Sequence, residues 1–364
     1  MRRSFRANSI GTMMATANVL FRTDAGPLIG IGHLQRCLSL AAALHHLGMS
    51  CLFLTNEEPT VIERVKRFGF ESCTLEADDS WGTADLEETL TIAATKECST
   101  IIVDSDCEGA DYLNRLHGSG YFVVAIEDNV PHPFPCHMVI NGDVHARELS
   151  YQSPFEDTHF LLGPEYSILR REFWEVTPRM VSENIDNVLV TMGGSDPYNI
   201  MPKIIDLLDA LQGTFSVTAI IGPFFENIVE VQAVTRRAQR TITLVETPDS
   251  VRDLMLQADM AISAGGQTLY ELACVGCPTV AIRLAANQDG QMAVFEEAGF
   301  LRIAGDGDYS GIVDAISDTV KALITDQQSR ATMSAAGQRL VDGQGALRVA
   351  QTLLTALDKH KINE

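Results

Sequence analysis

Positive charge is scarce in this chain: 27 lysines and arginines stand against 48 aspartates and glutamates, a net charge of −21. That balance argues against nucleic acid or an anionic membrane surface as partner. It leaves phosphate ligands open, because glycine turns and helix starts bind them through backbone N–H groups. No apolar run approaches the ~20 residues that span a bilayer, so no integral membrane segment is expected. Fixed-period repeats and low-complexity segments are absent too. The eight cysteines (Cys37, Cys51, Cys73, Cys98, Cys107, Cys136, Cys274 and Cys277) are scattered over strand-like and helix-like stretches. This pattern reads as reduced thiols in a cytoplasmic protein, not as a disulfide framework. Cys274-Val275-Gly276-Cys277 has redox or metal spacing but lacks a second pair and runs into Pro278. His132, Cys136 and His137 cluster among prolines and read as a loop. No metal and no other cofactor is expected. Residues 1–17 carry Arg2, Arg3 and Arg6 without a sustained apolar core, and read as a disordered leader and not as a signal peptide.

What is present is enough for two domains: 364 residues, 46% hydrophobic and 21% charged. Short β-branched runs at 19–22, 51–55, 100–104, 121–127, 138–141 and 159–162 alternate with amphipathic stretches at 34–47, 60–68, 84–96 and 110–116. Runs that are apolar throughout, such as Thr100-Ile101-Ile102-Val103, suit a parallel sheet buried on both faces. After a charged, proline-bearing stretch the pattern restarts. Strands are expected at 188–192, 216–221, 241–245, 260–263 and 279–283, with helices at 202–211, 227–237, 251–258 and 267–275. The expected organisation is an α/β chain of two doubly wound, Rossmann-like domains facing a cleft, at 18–163 and 185–345. A linker at 164–184 joins them, and a C-terminal helix and tail occupy 346–364.

Three glycine turns follow strands and precede helices. The first is Gly30-Ile31-Gly32-His33, which puts a titratable histidine at a helix start. The second is Gly193-Gly194-Ser195-Asp196, and the third Ser263-Ala264-Gly265-Gly266-Gln267. The last two can line one crevice with N–H donors suited to a diphosphate. Neither of the first two completes the G-x-G-x-x-G dinucleotide fingerprint, which weakens an NAD-dependent reading. Glu271, one turn into the following helix, is placed either to accept both hydroxyls of a ribose or to complement the helix dipole. Asn287-Gln288, after the strand at 279–283, can reach the same cleft.

These segments, with Arg22-Thr23-Asp24, Leu162-Gly163-Pro164-Glu165-Tyr166, Leu169-Arg170-Arg171-Glu172-Phe173 and the closing Gly343-Gln344-Gly345-Ala346, resemble one family. It is that of the pseudaminic-acid-pathway UDP-sugar hydrolases, which are similar to the spore-coat polysaccharide protein SpsG. The resemblance runs from Asn18 to about Ala356 and implies a GT-B fold. It implies metal-independent hydrolysis of a UDP-2,4-diacetamido-2,4,6-trideoxy-hexose-like sugar at the anomeric C–O bond, with inversion and release of UDP. By the same resemblance His33 activates water, Asn287 lines the sugar, Gly193, Gly194 and Ser195 hold the diphosphate, and Glu271 the ribose. Arg22, Asp24, Gly30, Gly32, Tyr166, Asp196, Ser263, Gly265, Gly266, Gln267 and Gln288 join the expected substrate site. The chain departs from the family at Asp104-Ser105-Asp106, where the family shows Asp-His-Tyr and the tyrosine contacts the sugar. Asp106 thus stands as a second catalytic candidate or as a solvated loop residue. The competing functions are a GT-B glycosyltransferase using the same donor and a non-catalytic nucleotide-sugar-binding protein.

Overall fold

The two halves of the chain repeat one topology. The computed structural model describes residues 18–26, 29–76, 81–105, 109–128, 130, 132–248 and 250–363. The expected leader and the candidate Asp106 lie outside the described residues. In the first half, strands β1 (Asn18–Thr23), β2 (Ser50–Thr55), β3 (Glu71–Thr74), β4 (Cys98–Asp104), β5 (Phe122–Ile126), β6 (Met138–Asn141) and β7 (His159–Leu162) form one sheet. Its order is β3-β2-β1-β4-β5-β6-β7 and every pairing is parallel. Helices α1 (Gly32–His46), α2 (Pro59–Arg67), α3 (Thr83–Thr95) and α4 (Ala110–Gly118) alternate with the strands.

The second half brings β8 (Asn187–Thr191), β9 (Ser216–Ile221), β10 (Ile242–Glu246), β11 (Met260–Ala264), β12 (Thr279–Arg283) and β13 (Leu301–Asp306). They pair in parallel in the order β10-β9-β8-β11-β12-β13. Its helices are α5 (Met201–Ala210), α6 (Ile228–Arg237), α7 (Arg252–Gln257), α8 (Thr268–Cys274), α9 (Asp289–Glu297), α10 (Ile312–Thr325) and α11 (Gln327–Leu340), before a last helix, α12 (Gly345–Asn363). Both sheets follow the doubly wound order in which the chain reverses direction beside the first strand.

Each sheet is buried on both faces, which is why its strands are apolar throughout and not alternating. Phe21 and Ile102 pack on one face of the first sheet with α1, while Leu20 and Ile101 pack on the other with Leu113 and Leu116 of α4. Val188 and Val190 face Ile316 and Val320 of α10, and Leu189 faces the core around Leu269 and Phe295. The sequence pattern had not indicated β3, β13 or α9 to α11. Edge strand β3 reads Glu-Ser-Cys-Thr and is half exposed, so it carries no apolar run. Helix α11 buries Ser334, Ala336 and Gly337 along with Met333, a face of mostly small residues with little hydrophobic contrast. Among the described residues no disulfide is formed. No helix among the described residues is long and apolar enough to cross a membrane.

The connecting stretch is packed, not loose. Leu169 and Phe173 join the core of the second half, and Ile168 and Trp174 that of the first. Fully buried Arg330 donates to the carbonyls of Ser182 and Glu183 at 2.8 and 2.7 Å. The chain crosses back at Gly343-Gln344-Gly345. A Cβ on Gly343 would lie 2.0 Å from the Phe173 carbonyl oxygen, and one on Gly345 2.1 Å from that of Ser167. Only glycine lets the returning backbone pass so close to the connecting stretch. Helix α12 then packs on α1, burying Val349, Ala350 and Leu353 in the core of the first half.

Arg22 and Asp24, expected at the substrate, serve the fold instead. Arg22 is fully buried at the end of β1, where Asp24 (2.6 Å) and Asp85 (2.6 Å) hold its guanidinium against the Trp81 ring, 4.0 Å away. Asp24 also accepts the Asn56 backbone N–H at 2.9 Å, and Asp85 the Tyr112 hydroxyl at 2.8 Å. A side chain so enclosed ties β1 to α3 and cannot reach a ligand. Removing the cation would strand two buried carboxylates. Arg22→Met is therefore expected to lower the unfolding free energy by about 3–5 kcal/mol in urea titrations. A loss well under ~1 kcal/mol would show that the cluster is solvated and dispensable.

Candidate functional site

In a doubly wound sheet the ligand crevice opens beyond the C-terminal strand ends, where the strand order reverses. Here those points are the β1/β4 and β8/β11 neighbours, and between them lies a cleft of about 420 Å³. The two walls touch: a Cβ on Gly194 would sit 3.3 Å from the Ile31 side chain.

The C-terminal wall is built from backbone. Gly193, Gly194 and Ser195 line it after β8, and Gly266 and Gln267 line it after β11, where α8 begins. Gly222, at the end of β9, supports the first turn; a Cβ there would fall 2.2 Å from the Gly193 carbonyl oxygen. Neither α1 nor α8 has a side-chain cap at its start; in α8 the Leu269 and Tyr270 amides donate to the Gly266 and Gln267 carbonyls, so the first-turn position open toward an anion there is Thr268, which lines the cleft. Asn287 and Gln288 line the cleft after β12, and Gln288 Oε1 accepts the Leu284 amide at 2.9 Å.

The N-terminal wall carries the titratable chemistry. Gly30 and Gly32 line the cleft, and His33 follows them on the first turn of α1. His33 Nδ1 lies 2.7 Å from Asp104 Oδ1, at the end of β4. Arg36, one turn on, donates Nε to Asp104 Oδ2 and Nη2 to Asp104 Oδ1, each at 2.7 Å, and pairs with Asp128 through Nη1. Burial pushes the Asp104 carboxyl up, but Arg36 and His33 more than offset it and hold it at about 2. Asp104 is thus an ionised acceptor, which favours the tautomer with the proton on His33 Nδ1, although Arg36 Nη2 also lies 3.0 Å from that nitrogen. In that tautomer of the neutral ring the basic lone pair belongs to Nε2.

Glu271 lines the cleft on α8, and its Oε1 takes Arg170 Nε at 2.8 Å and Nη2 at 2.7 Å. Other candidates stand outside the cavity lining, His33 with its partner Asp104 among them. Asp196 caps α5, accepting the Ile200 and Met201 amides at 2.9 Å each. Ser263 is fully buried within β11, with Oγ donating to the Ala264 carbonyl at 2.9 Å. Gly265 lies beneath Met292 and Gln288, and Tyr166 packs on the core of the first half.

Sequence reasoning missed several lining residues. Gln35 and Arg64 come from α1 and α2, with Arg64 Nη2 donating to Gln35 Oε1 at 2.5 Å. In the sequence Arg64 looks like the polar face of any amphipathic helix. Thr247, next to Pro248 after β10, lines the cleft at φ 42°, a strained backbone for a β-branched residue. Arg170 was visible only as one member of a motif, with no role attached.

A second junction joins the halves. Tyr270, fully buried on α8, donates its hydroxyl to Asp143 Oδ1 at 2.8 Å and accepts the Val144 amide at 3.2 Å. Burial, with Asp128 nearby, pushes the Asp143 carboxyl up to about 7.

Comparison with known proteins fits this geometry. No family model matches the chain. It is 28% identical over 222 residues to the spore coat polysaccharide biosynthesis protein SpsG of Bacillus subtilis, covering 59% of this chain and 62% of that one. It is 22% identical over 286 residues to the UDP-2,4-diacetamido-2,4,6-trideoxy-β-L-altropyranose hydrolase of Campylobacter jejuni, covering 78% and 97%. The chain is a homologue of these proteins. It also matches the uncharacterized protein MJ1062 of Methanocaldococcus jannaschii, at 24% identity over 270 residues, covering 71% of this chain and 54% of that one. The chain therefore spans between half and two thirds of the length of SpsG and of the archaeal protein. Among solved structures, Acinetobacter baumannii MurG superposes with a TM-score of 0.63 at 13% identity, over 93% of this chain and 99% of that one. S. aureus MnaA, in a co-structure with UDP, superposes with a TM-score of 0.62 at 12% identity, over 94% and 97%. The fold is GT-B.

Asp143 gives the junction a pH signature. Its folded pKa lies above the unfolded value of about 3.9, so between those values the native state holds a proton that the unfolded chain has released. This contribution to stability is complete below about pH 4 and is lost as pH rises through about 7. Wild type should therefore lose more unfolding free energy than Asp143→Asn between about pH 5 and about pH 8, measured by denaturant titration. Equal losses would place Asp143 in solvent.

Proposed function

We propose that this protein hydrolyses a UDP-activated amino sugar of the 2,4-diacetamido-2,4,6-trideoxy-hexose type, releasing UDP and inverting the anomeric carbon, in the synthesis of a nonulosonic acid or surface polysaccharide. The observation that carries the reading is one cleft lined by two glycine turns of the second half and by Gly30 and Gly32 of the first, with the Asp104–His33 pair at the helix start that follows them. The similarity to the Campylobacter jejuni hydrolase, nearly end to end in that protein, supplies the substrate class.

In this reading the nucleotide lies on the C-terminal wall, with its diphosphate over Gly193-Gly194-Ser195 and the start of α8, and its ribose at Glu271. The sugar points to His33, with Asn287 beside it. Water gives a proton to His33 Nε2 while its oxygen attacks the anomeric carbon through an oxocarbenium-like transition state. The C–O bond to UDP breaks, and its electron pair passes to the β-phosphate, where turn and helix-start amides stabilise the charge. Asp104 keeps the Nδ1 proton in place and stabilises the imidazolium that forms. Asp106 remains the candidate for sugar selection, since it stands where the family's tyrosine contacts the sugar.

His33→Asn is expected to reduce turnover by roughly 10²–10⁴-fold while UDP affinity stays at the wild-type value. Parallel loss of UDP binding would instead make His33 a phosphate ligand. A panel of UDP- and CMP-sugars, incubated with and without acceptors and followed by NMR, tests the reaction itself. Free UDP with an inverted sugar in water supports hydrolysis. Product formed only with an acceptor would mean a glycosyltransferase, and no turnover with any sugar a binding protein. In the same panel Asp106→Tyr should shift preference toward the diacetamido-altrose sugar; an unchanged profile would make Asp106 a solvated loop residue.

A further inference from the structure

Glu271 sits one turn into α8, yet its carboxylate is not turned back on the helix. Its partner is Arg170, 101 residues earlier, in the stretch that joins the two halves. Both residues are nearly buried, Arg170 at 9% and Glu271 at 5% exposure. Arg170 is braced by its own segment: its guanidinium lies 5.6 Å from the Phe173 ring centre, and Nη1 is 3.5 Å from Glu172 Oε1. Glu172 is fixed in turn by the Val251 amide, which donates to it at 3.2 Å. Both contacts from Arg170 fall on Oε1 of Glu271, and Oε2 takes no hydrogen bond from the described residues.

We infer that Arg170 is a positioning residue for recognition of a ribonucleoside diphosphate: by occupying Oε1 it fixes Glu271 with Oε2 presented to the vicinal 2′- and 3′-hydroxyls. The inference rests on the ribose reading of Glu271 and adds the group that makes it work. A carboxylate accepts two hydroxyls most strongly while ionised and held in one rotamer. Burial pushes the Glu271 carboxyl up, and Glu172 pushes it the same way; Arg170 is the principal counterweight, with Arg64 a smaller one across the cleft. Without Arg170 the carboxyl takes up a proton at higher pH and is free to rotate toward its own helix start.

The test is calorimetric titration of UDP and 2′-deoxy-UDP into wild type, Arg170→Met, Arg170→Lys, Glu271→Ala and the double variant. Wild type should prefer UDP by roughly 10-fold or more, as expected for hydrogen bonds to a charged group. Arg170→Met should lose most of that preference, and in that variant the preference should fall further toward lower pH than in wild type, read as the ratio of the two ligands so that their own phosphate titration cancels. Arg170→Lys should restore much of the preference. In the Glu271→Ala background, Arg170→Met should cost nothing further. If Arg170→Met does not fold, Arg170→Gln carries the same comparison. Equal weakening of both ligands with no pH dependence, or an unchanged preference, would overturn the assignment. If Glu271→Ala loses the preference and Arg170→Met keeps it, only the Arg170 role fails. If wild type itself does not distinguish the two ligands, the ribose reading fails and the Arg170 role falls with it.

Discussion

Strand direction governs where chemistry can reside in this molecule. Within each sheet every described strand runs parallel to its neighbours, so all the strands of a sheet end at the same edge. Both faces are covered by helices, which leaves that edge as the place where loops can meet a ligand. Reversal of strand order beside β1 and β8 splays the adjacent loops apart and opens a crevice. His33 and Asp104 flank one reversal; Gly193 and Gly266 flank the other. The cleft follows from these two edges facing each other.

Charge is then distributed by burial. The N-terminal half holds buried carboxylates that stay ionised because each has a cation: Asp104 has Arg36 and His33, and Asp85 has Arg22. Breaking such a pair costs far more than the pair contributes, so these clusters fix geometry more than they add stability. The C-terminal wall needs no such compensation at its glycine turns, where uncharged backbone lines the cleft. In a strongly acidic protein, backbone of this kind can offer donors to an anion without a basic surface.

The connecting stretch does more than join two units. Its residues enter both cores, its carbonyls receive Arg330, and its Arg170 reaches the carboxylate of Glu271. The return crossing at Gly343 and Gly345 presses against the same stretch, and α12 completes the core of the first half. A GT-B architecture by itself does not choose between water and a hydroxyl as acceptor.

Much of the fold was legible in the residue pattern. Apolar β-branched runs marked β4, β5 and β8, and glycine turns followed by helices marked the cleft edges, because parallel burial and tight turns leave local signatures. The GG turns, His33, Glu271 and Asn287-Gln288 could be read in the same way. Helix α10 had a legible apolar face at Ile312, Ile316, Val320 and Leu323 and was overlooked, whereas β3 and α11 offered little contrast to read. What no local pattern could supply was pairing across the chain. Whether Arg22 meets substrate or two buried aspartates, whether Arg36 holds Asp104, and whether Arg170 meets Glu271 depend on which strand ends and segments converge. An arginine has the same local signature on a solvated face, in a core and in a cleft. Its partner is chosen only when burial makes an unpaired charge too costly to leave.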